Sequence, residues 1–121
     1  MIILRLEDAE AQDLGTLLGS LNFGVKNKWL IHETPQNQIG KLSFALKQTI
    51  IEPGKIFPKH YNQYKEAIYI IDGKGIIQIG TEEIAINTGD TILTKRGETY
   101  SVINSGKTEL KTLSCVDLLS H

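Results

Sequence analysis

The hydrophobic rhythm of the chain changes near Lys41. From there onward, short β-branched or apolar stretches alternate with turn residues: "KLSFALKQTIIE", "KIFPKH", "EAIYIID", "GIIQIG", "EEIAIN", "DTILTK", "YSVIN" and "LKTLSCVDL". Runs this short, punctuated by glycine, asparagine and aspartate, predict the strands of an all-β barrel or sandwich. Two turns, "DGKG" (Asp72 to Gly75) and "GTE" (Gly80 to Glu82), supply glycine for the positive φ of tight hairpins, and both predict antiparallel neighbours. The first forty residues are less regular. "MIILRL" reads as an edge strand, "EDAEAQDLGTLLGSL" as helix-forming residues broken by Gly15 and Gly19, and "NKWLIHET" as a further strand. The expected organisation is an N-terminal extension over residues 1–40 (edge strand, short helix, loop) packed on a β-barrel over residues 41–121. No internal repeat, low-complexity tract or linker interrupts it.

Side-chain alternation says which residues share a face. His60 and Asn62 are two apart and point the same way on a regular strand, with Tyr61 opposite. In "EAIYIID", Glu66, Ile68, Ile70 and Asp72 form one face, and Ala67, Tyr69 and Ile71 the other. Both faces are apolar, which predicts a strand covered on both sides. A carboxylate opening such a strand lies at a barrel mouth, shifts its pKa or finds a cation, because an unpaired buried charge is costly.

Composition narrows the function classes. A chain of 121 residues fits one domain with one core. Its 13 basic and 14 acidic side chains nearly cancel, and no Lys or Arg run marks a phosphate-tracking stripe, so neither nucleic acid nor anionic lipid is an expected partner. The apolar opening is broken by Arg5 and then acidic residues, unlike a secretory signal. No apolar run approaches the roughly 20 residues of a membrane span, and the expectation is a soluble, cytoplasmic protein. Cys115 is the lone cysteine, which excludes an intramolecular disulfide and a multi-cysteine zinc site. A metal here must be held by nitrogen and oxygen.

The stretch from Gly54 to Asn104 resembles the two motifs of the cupins. The first, G(X)5HXH(X)3-4E(X)6G, is matched by Gly54, His60, Asn62, Glu66 and Gly73, with Asn62 in place of the second histidine. The second, G(X)5PXG(X)2H(X)3N, is matched by Gly89, Lys95, Gly97, Tyr100 and Asn104, with Lys95 in place of proline and Tyr100 in place of histidine. The resemblance implies a double-stranded β-helix, the cupin jelly-roll barrel, which is often dimeric. Within the cupins, "HYNQYKEAIYIIDGKG" is similar to the "HYKxHxEAVYxIEGEG" pattern of the ectoine synthases, iron-dependent lyases that close a ring by eliminating water. In those enzymes a glutamate, a tyrosine and a histidine hold the metal. Glu66 matches the first, whereas Ile92 stands at the tyrosine position and Tyr100 at the histidine position.

The resemblance implies that His60, Asn62, Glu66 and Tyr100 converge at one end of the barrel interior. Together they offer an imidazole, an amide, a carboxylate and a phenol, a mixed set suited to one divalent transition metal such as iron, manganese or zinc. The amide is a weak ligand, and the phenol must lose a proton whose ordinary pKa is about 10. The alternative is a metal-free polar network in which Glu66 accepts hydrogen bonds from Tyr100 and Asn62 and His60 closes the set. Glu66 and Tyr100 are the candidate acid–base pair. Trp29, Thr49, Tyr64 and Cys115 are candidate substrate contacts; three carry a bland alternative, a packing anchor for Trp29, a β-branched strand residue for Thr49 and an inert core thiol for Cys115, while Tyr64 is placed at the barrel mouth with no spacing that decides its role.

The expected function is an ectoine-synthase-like cupin enzyme with an altered metal site, a lyase (cyclase or dehydratase) or isomerase acting on a polar small molecule. The alternative is a noncatalytic cupin that binds or senses such a ligand. Oxygen activation needs more imidazoles than His60 alone supplies. "MIILRL" and the apolar second face of "AIYIID" predict a homodimer.

Overall fold

The structure, a computed structural model, describes residues 2–9, 11–13, 24–32 and 42–119, with backbone alone at 11–13 and His60. Ten strands run in order: β1 (Ala11–Asp13), β2 (Val25–Ile31), β3 (Phe44–Ile51), β4 (Ile56–Tyr61), β5 (Lys65–Asp72), β6 (Lys74–Ile79), β7 (Glu82–Asn87), β8 (Thr91–Thr94), β9 (Thr99–Ile103) and β10 (Leu110–Asp117). They form a six-stranded sheet, β1-β2-β3-β10-β5-β8, and a four-stranded sheet, β4-β9-β6-β7. Every pairing is antiparallel. The interior faces of the two sheets meet in one core, built around Val25, Ile51, Ile70, Ile77 and Leu110. This is the all-β jelly-roll barrel expected from the strand pattern, and each expected segment from Lys41 onward overlaps one observed strand, with ends differing by a few residues at most. No helix among the described residues is long and apolar enough to cross a membrane.

Three expectations need correction. "MIILRL" is not an edge strand: residues 2–5 carry no strand and Leu6–Asp8 forms a turn of 3-10 helix, while the outer edge beside β2 is taken by Ala11–Asp13. The barrel does not begin at residue 41. β2 pairs with β3 over its length, placing Val25 opposite Ile51, Asn27 opposite Thr49 and Trp29 opposite Lys47, so part of the expected extension is a strand of the sheet. Most of the expected helical stretch, residues 14–21, lies outside the described residues.

The third correction concerns "DGKG". β5 and β6 belong to different sheets, so this turn is a corner and not a hairpin. Gly73 sits there at φ 99°, and a Cβ on it would lie 2.8 Å from the Glu109 carbonyl oxygen. Only glycine meets both demands without strain. "GTE", by contrast, joins β6 to β7 as the expected hairpin.

Alternation along the strands sorts the large sheet into two faces. Ala45, Thr49 and Ile51 of β3, Glu66, Ile68 and Ile70 of β5, and Thr112, Ser114 and Val116 of β10 are buried inward. The opposite parity makes an outer row in which Leu46, Cys115, Ala67 and Leu93 are successive register partners. On that side Tyr69, Ile71 and Leu93 are exposed, so within the single chain β5 is covered on one face only.

Asn104, which closes the second motif, ties strand ends together. Its Nδ2 donates to the carbonyls of Ile51 and Thr108, both at 2.8 Å, and its Oδ1 accepts from the Gly106 amide at 2.9 Å. It is 1% exposed, so no water replaces these bonds when they are lost. Asn104→Ala is expected to lower stability by about 2–4 kcal/mol, read as an earlier urea midpoint with an unchanged slope. An unchanged midpoint would contradict this role.

Candidate functional site

The inward residues of the large sheet and those of β4 and β9 line a small chamber, bounded by Lys47, Thr49, Phe57, Glu66, Tyr100 and Ser114 among others. It encloses about 300 Å³ counting the space open to solvent at its mouth, of which about 20 Å³ is wide enough for water. That is room for about one ordered water.

Register brings the polar groups together. Lys47 pairs with Trp29 on one side and Ser114 on the other, while Val116, one inward step along β10, pairs with Glu66. Lys47 therefore reaches diagonally over β10 towards Glu66, and its Nζ lies 3.5 Å from Glu66 Oε1. The two side chains are 12% and 4% exposed. The ammonium also lies 5.4 Å from the Trp29 ring centroid and 5.9 Å from that of Phe57, within cation–π range. From the other sheet, the Tyr100 hydroxyl donates to Glu66 Oε2 at 3.3 Å, and its ring stacks on Phe57. Glu66 Oε1 has an ion-pair partner but no hydrogen bond. At 3.5 Å the ammonium neutralises charge without filling the lone pairs.

Burial first, then the Glu66 charge and the hydrogen bond to it, push the Tyr100 phenol well above the usual range. Tyr100 is accordingly a neutral donor. Thr49 Oγ1 donates to Asn27 Oδ1 at 2.7 Å, across the β2–β3 pair, and stays in the chamber wall.

The structure brings Glu66, Tyr100 and Thr49 to one chamber, with Trp29 reaching it through Lys47. Asn62 is buried nearby, but its Nδ2 donates to Thr94 Oγ1, which in turn donates to the Glu66 backbone carbonyl at 3.3 Å. The expected Asn62–Glu66 side-chain bond is thus replaced by a link through Thr94. His60 is the register partner of Tyr100, and its side chain lies outside the described residues. Two substrate-contact expectations are corrected. Cys115 is exposed on the outer row because it has the opposite parity to Ser114 and Val116. Tyr64 is 38% exposed in the β4–β5 connection, clear of the chamber wall. Lys47 is the residue sequence reasoning missed, although its spacing of two from Thr49 placed it on the same inward face.

The cupin domain family matches residues 48–116. This chain is a cupin. A 34% identical stretch of 61 residues relates it to an oxalate-binding protein of Thermotoga maritima, covering half of each chain. Another, 30% identical over 73 residues, relates it to an uncharacterised protein of Methanocaldococcus jannaschii and covers 59% of this chain and 58% of the other. The chain spans about half the length of these curated relatives. Among solved structures, a predicted oxalate decarboxylase of Thermotoga maritima superposes with a TM-score of 0.72 at 20% identity, covering 98% of this cupin and all of its counterpart. The polyketide cyclase RemF of Streptomyces resistomycificus gives 0.73 at 19% identity, covering 98% and 80%. At such identities the likeness is one of fold.

The sequence resemblance implies a metal on Glu66, and the described residues do not fit one. The ammonium of Lys47 faces Oε1, the protonated phenol of Tyr100 occupies Oε2, and the Asn62 amide donates to Thr94. Among the described residues no group of three or more His, Cys, Asp or Glu side chains converges. A divalent ion bound at Glu66 would meet the like charge of Lys47, 3.5 Å from Oε1.

The raised phenol pKa carries a stability prediction. A folded-state pKa above the unfolded value stabilises the fold below the unfolded pKa, so this contribution is present up to about pH 10 and is lost as pH rises further. Tyrosinate absorbance taken as the difference between wild type and Tyr100→Phe is expected to appear only with alkaline unfolding. Its appearance near pH 10 in folded protein would contradict the assignment.

Proposed function

We propose that this cupin binds a small carboxylate bearing a neighbouring O–H or N–H donor, a hydroxy or amino acid of few carbons, in the chamber between the sheets. One observation carries the reading: Glu66 Oε1, buried and without a hydrogen bond, faces the chamber beside the Lys47 ammonium. The pair asks for two complementary groups, an anionic oxygen for the ammonium and a donor for the carboxylate. The small free volume limits the ligand to a molecule of few heavy atoms, whose entry requires the lysine end to shift. The oxalate-binding relative supports a small carboxylate as the ligand class.

A second reading, turnover of the bound molecule by lyase or isomerase chemistry, is favoured by Tyr100 donating to the same carboxylate. Glu66 would then take a proton from the ligand's donor carbon or heteroatom, and Tyr100 would hold the carboxylate in place. The ectoine synthase resemblance supports a shared scaffold. Ile92 and Tyr100 at two of that family's metal positions point to a changed reaction. Accumulation of any product from a hydroxy-acid and amino-acid panel distinguishes turnover from binding alone.

Glycolate and glycine are expected to bind roughly tenfold or more tightly than oxalate, which lacks a donor at neutral pH, and Glu66→Gln is expected to erase that preference. Calorimetry or NMR titration reads both. Equal affinities, or a preference that survives Glu66→Gln, would remove the reading. The exposed outer side chains Tyr69, Ile71 and Leu93 further lead us to propose a homodimer. Sedimentation at micromolar concentration is expected to give the mass of two chains, and a monomer would reject it.

A further inference from the structure

We propose that Lys47 is the resident cation of this cupin, its ammonium standing where a metal ion would otherwise neutralise Glu66. Nζ is surrounded by Glu66 Oε1 at 3.5 Å, the Trp29 ring at 5.4 Å and the Phe57 ring at 5.9 Å. These partners come from β5, β2 and β4, while the lysine itself comes from β3. Strands of both sheets thus enclose a single positive charge. A carboxylate and two aromatic rings offset the desolvation of a lysine whose side chain is only 12% exposed.

The arrangement is specified by the strand pattern. Lys47 has the inward parity of Ala45, Thr49 and Ile51, and Trp29 is its direct partner across β2 and β3. An inward lysine is expensive unless an anion meets it, and an inward glutamate is expensive unless a cation does. Each residue therefore accounts for the other. With Oε1 facing the ammonium and Oε2 accepting from Tyr100, a divalent ion approaching this carboxylate would have to displace the like charge already beside it.

A lysine also differs from a metal in what it presents. It offers N–H donors on a flexible stem in place of open coordination positions, so it recognises an anionic oxygen by hydrogen bonding and retreats when none is present. This ligand-facing role rests on the binding reading above. The neutralisation of Glu66 stands without it.

The test uses the full chain as wild type, Lys47→Met, Lys47→Arg, Glu66→Gln and the Lys47→Met/Glu66→Gln double variant. Each is incubated with Mn²⁺, Fe²⁺ or Zn²⁺, desalted, and examined by elemental analysis and urea unfolding. Wild type and Glu66→Gln are expected to retain indistinguishable amounts of metal. Lys47→Met is expected to lower the folding constant roughly a hundredfold or more, because it leaves a buried charge unpaired. Adding Glu66→Gln restores most of that loss, and Lys47→Arg stays closer to wild type than Lys47→Met does. Metal held at about one ion per chain by wild type and lost in Glu66→Gln overturns the proposal. Independent effects of the two substitutions, with or without metal, overturn it too. If Lys47→Met does not fold, folding of the double variant supports the pairing and its failure to fold refutes it. Neither readout involves a ligand, so a failure of hydroxy-acid binding and a failure of this proposal are separately visible.

Discussion

A carboxylate set inside an apolar barrel dictates what must stand around it. Glu66 opens the inward face of β5, where its neighbours two and four residues on are isoleucines at 5% and 0% exposure. Charge in such surroundings is tolerated only when paired and hydrogen-bonded. Lys47 supplies the opposite charge, Tyr100 supplies the hydrogen bond, and Trp29 and Phe57 close around the lysine. Removing any member leaves another exposed to the cost the group avoids together. The one oxygen left without a hydrogen bond is the point at which the chamber remains chemically open.

The fold's contribution is to make distant segments meet at this point. Lys47 and Glu66 are separated by β10 in the sheet, and Tyr100 comes from the facing sheet. Three features hold that geometry: strand parity, which decides inward from outward; the corner at Gly73, which sends β6 into the second sheet; and Asn104, which ties the end of β3 to the β9–β10 connection. None of them touches Lys47 or Glu66 directly. Each acts by fixing the register from which the side chains project.

Much of the barrel was legible because alternation and turn residues are local signals, and every segment from Lys41 onward carried them. "DGKG" reads as a hairpin because a hairpin and this corner both place glycine at positive φ; only pairing between remote strands tells them apart. "MIILRL" is apolar without alternation, so its sequence does not distinguish a strand from a coil lying on the barrel. At the site, Glu66 and Tyr100 were found through motif spacing. Lys47 carries no such motif, and lysine in a strand ordinarily reads as solvated, although it shares parity with Thr49. For Cys115 the signal was present: Lys111 and Asp117 have its parity, and charged flanking residues mark that face as outward. The Asn62–Thr94 bond spans 32 residues of sequence and has no local trace.

Membership of the cupin family accounts for the barrel, and the side chains inside it account for how this member departs from the metal-centred pattern its sequence resembles. The most direct measurement is a high-resolution crystal structure with anomalous scattering recorded across the manganese, iron and zinc edges after exposure to those ions. The account predicts the Lys47 ammonium against Glu66, between the Trp29 and Phe57 rings, and no anomalous peak in the chamber. A metal peak bonded to Glu66, with Lys47 turned out to solvent, would contradict it.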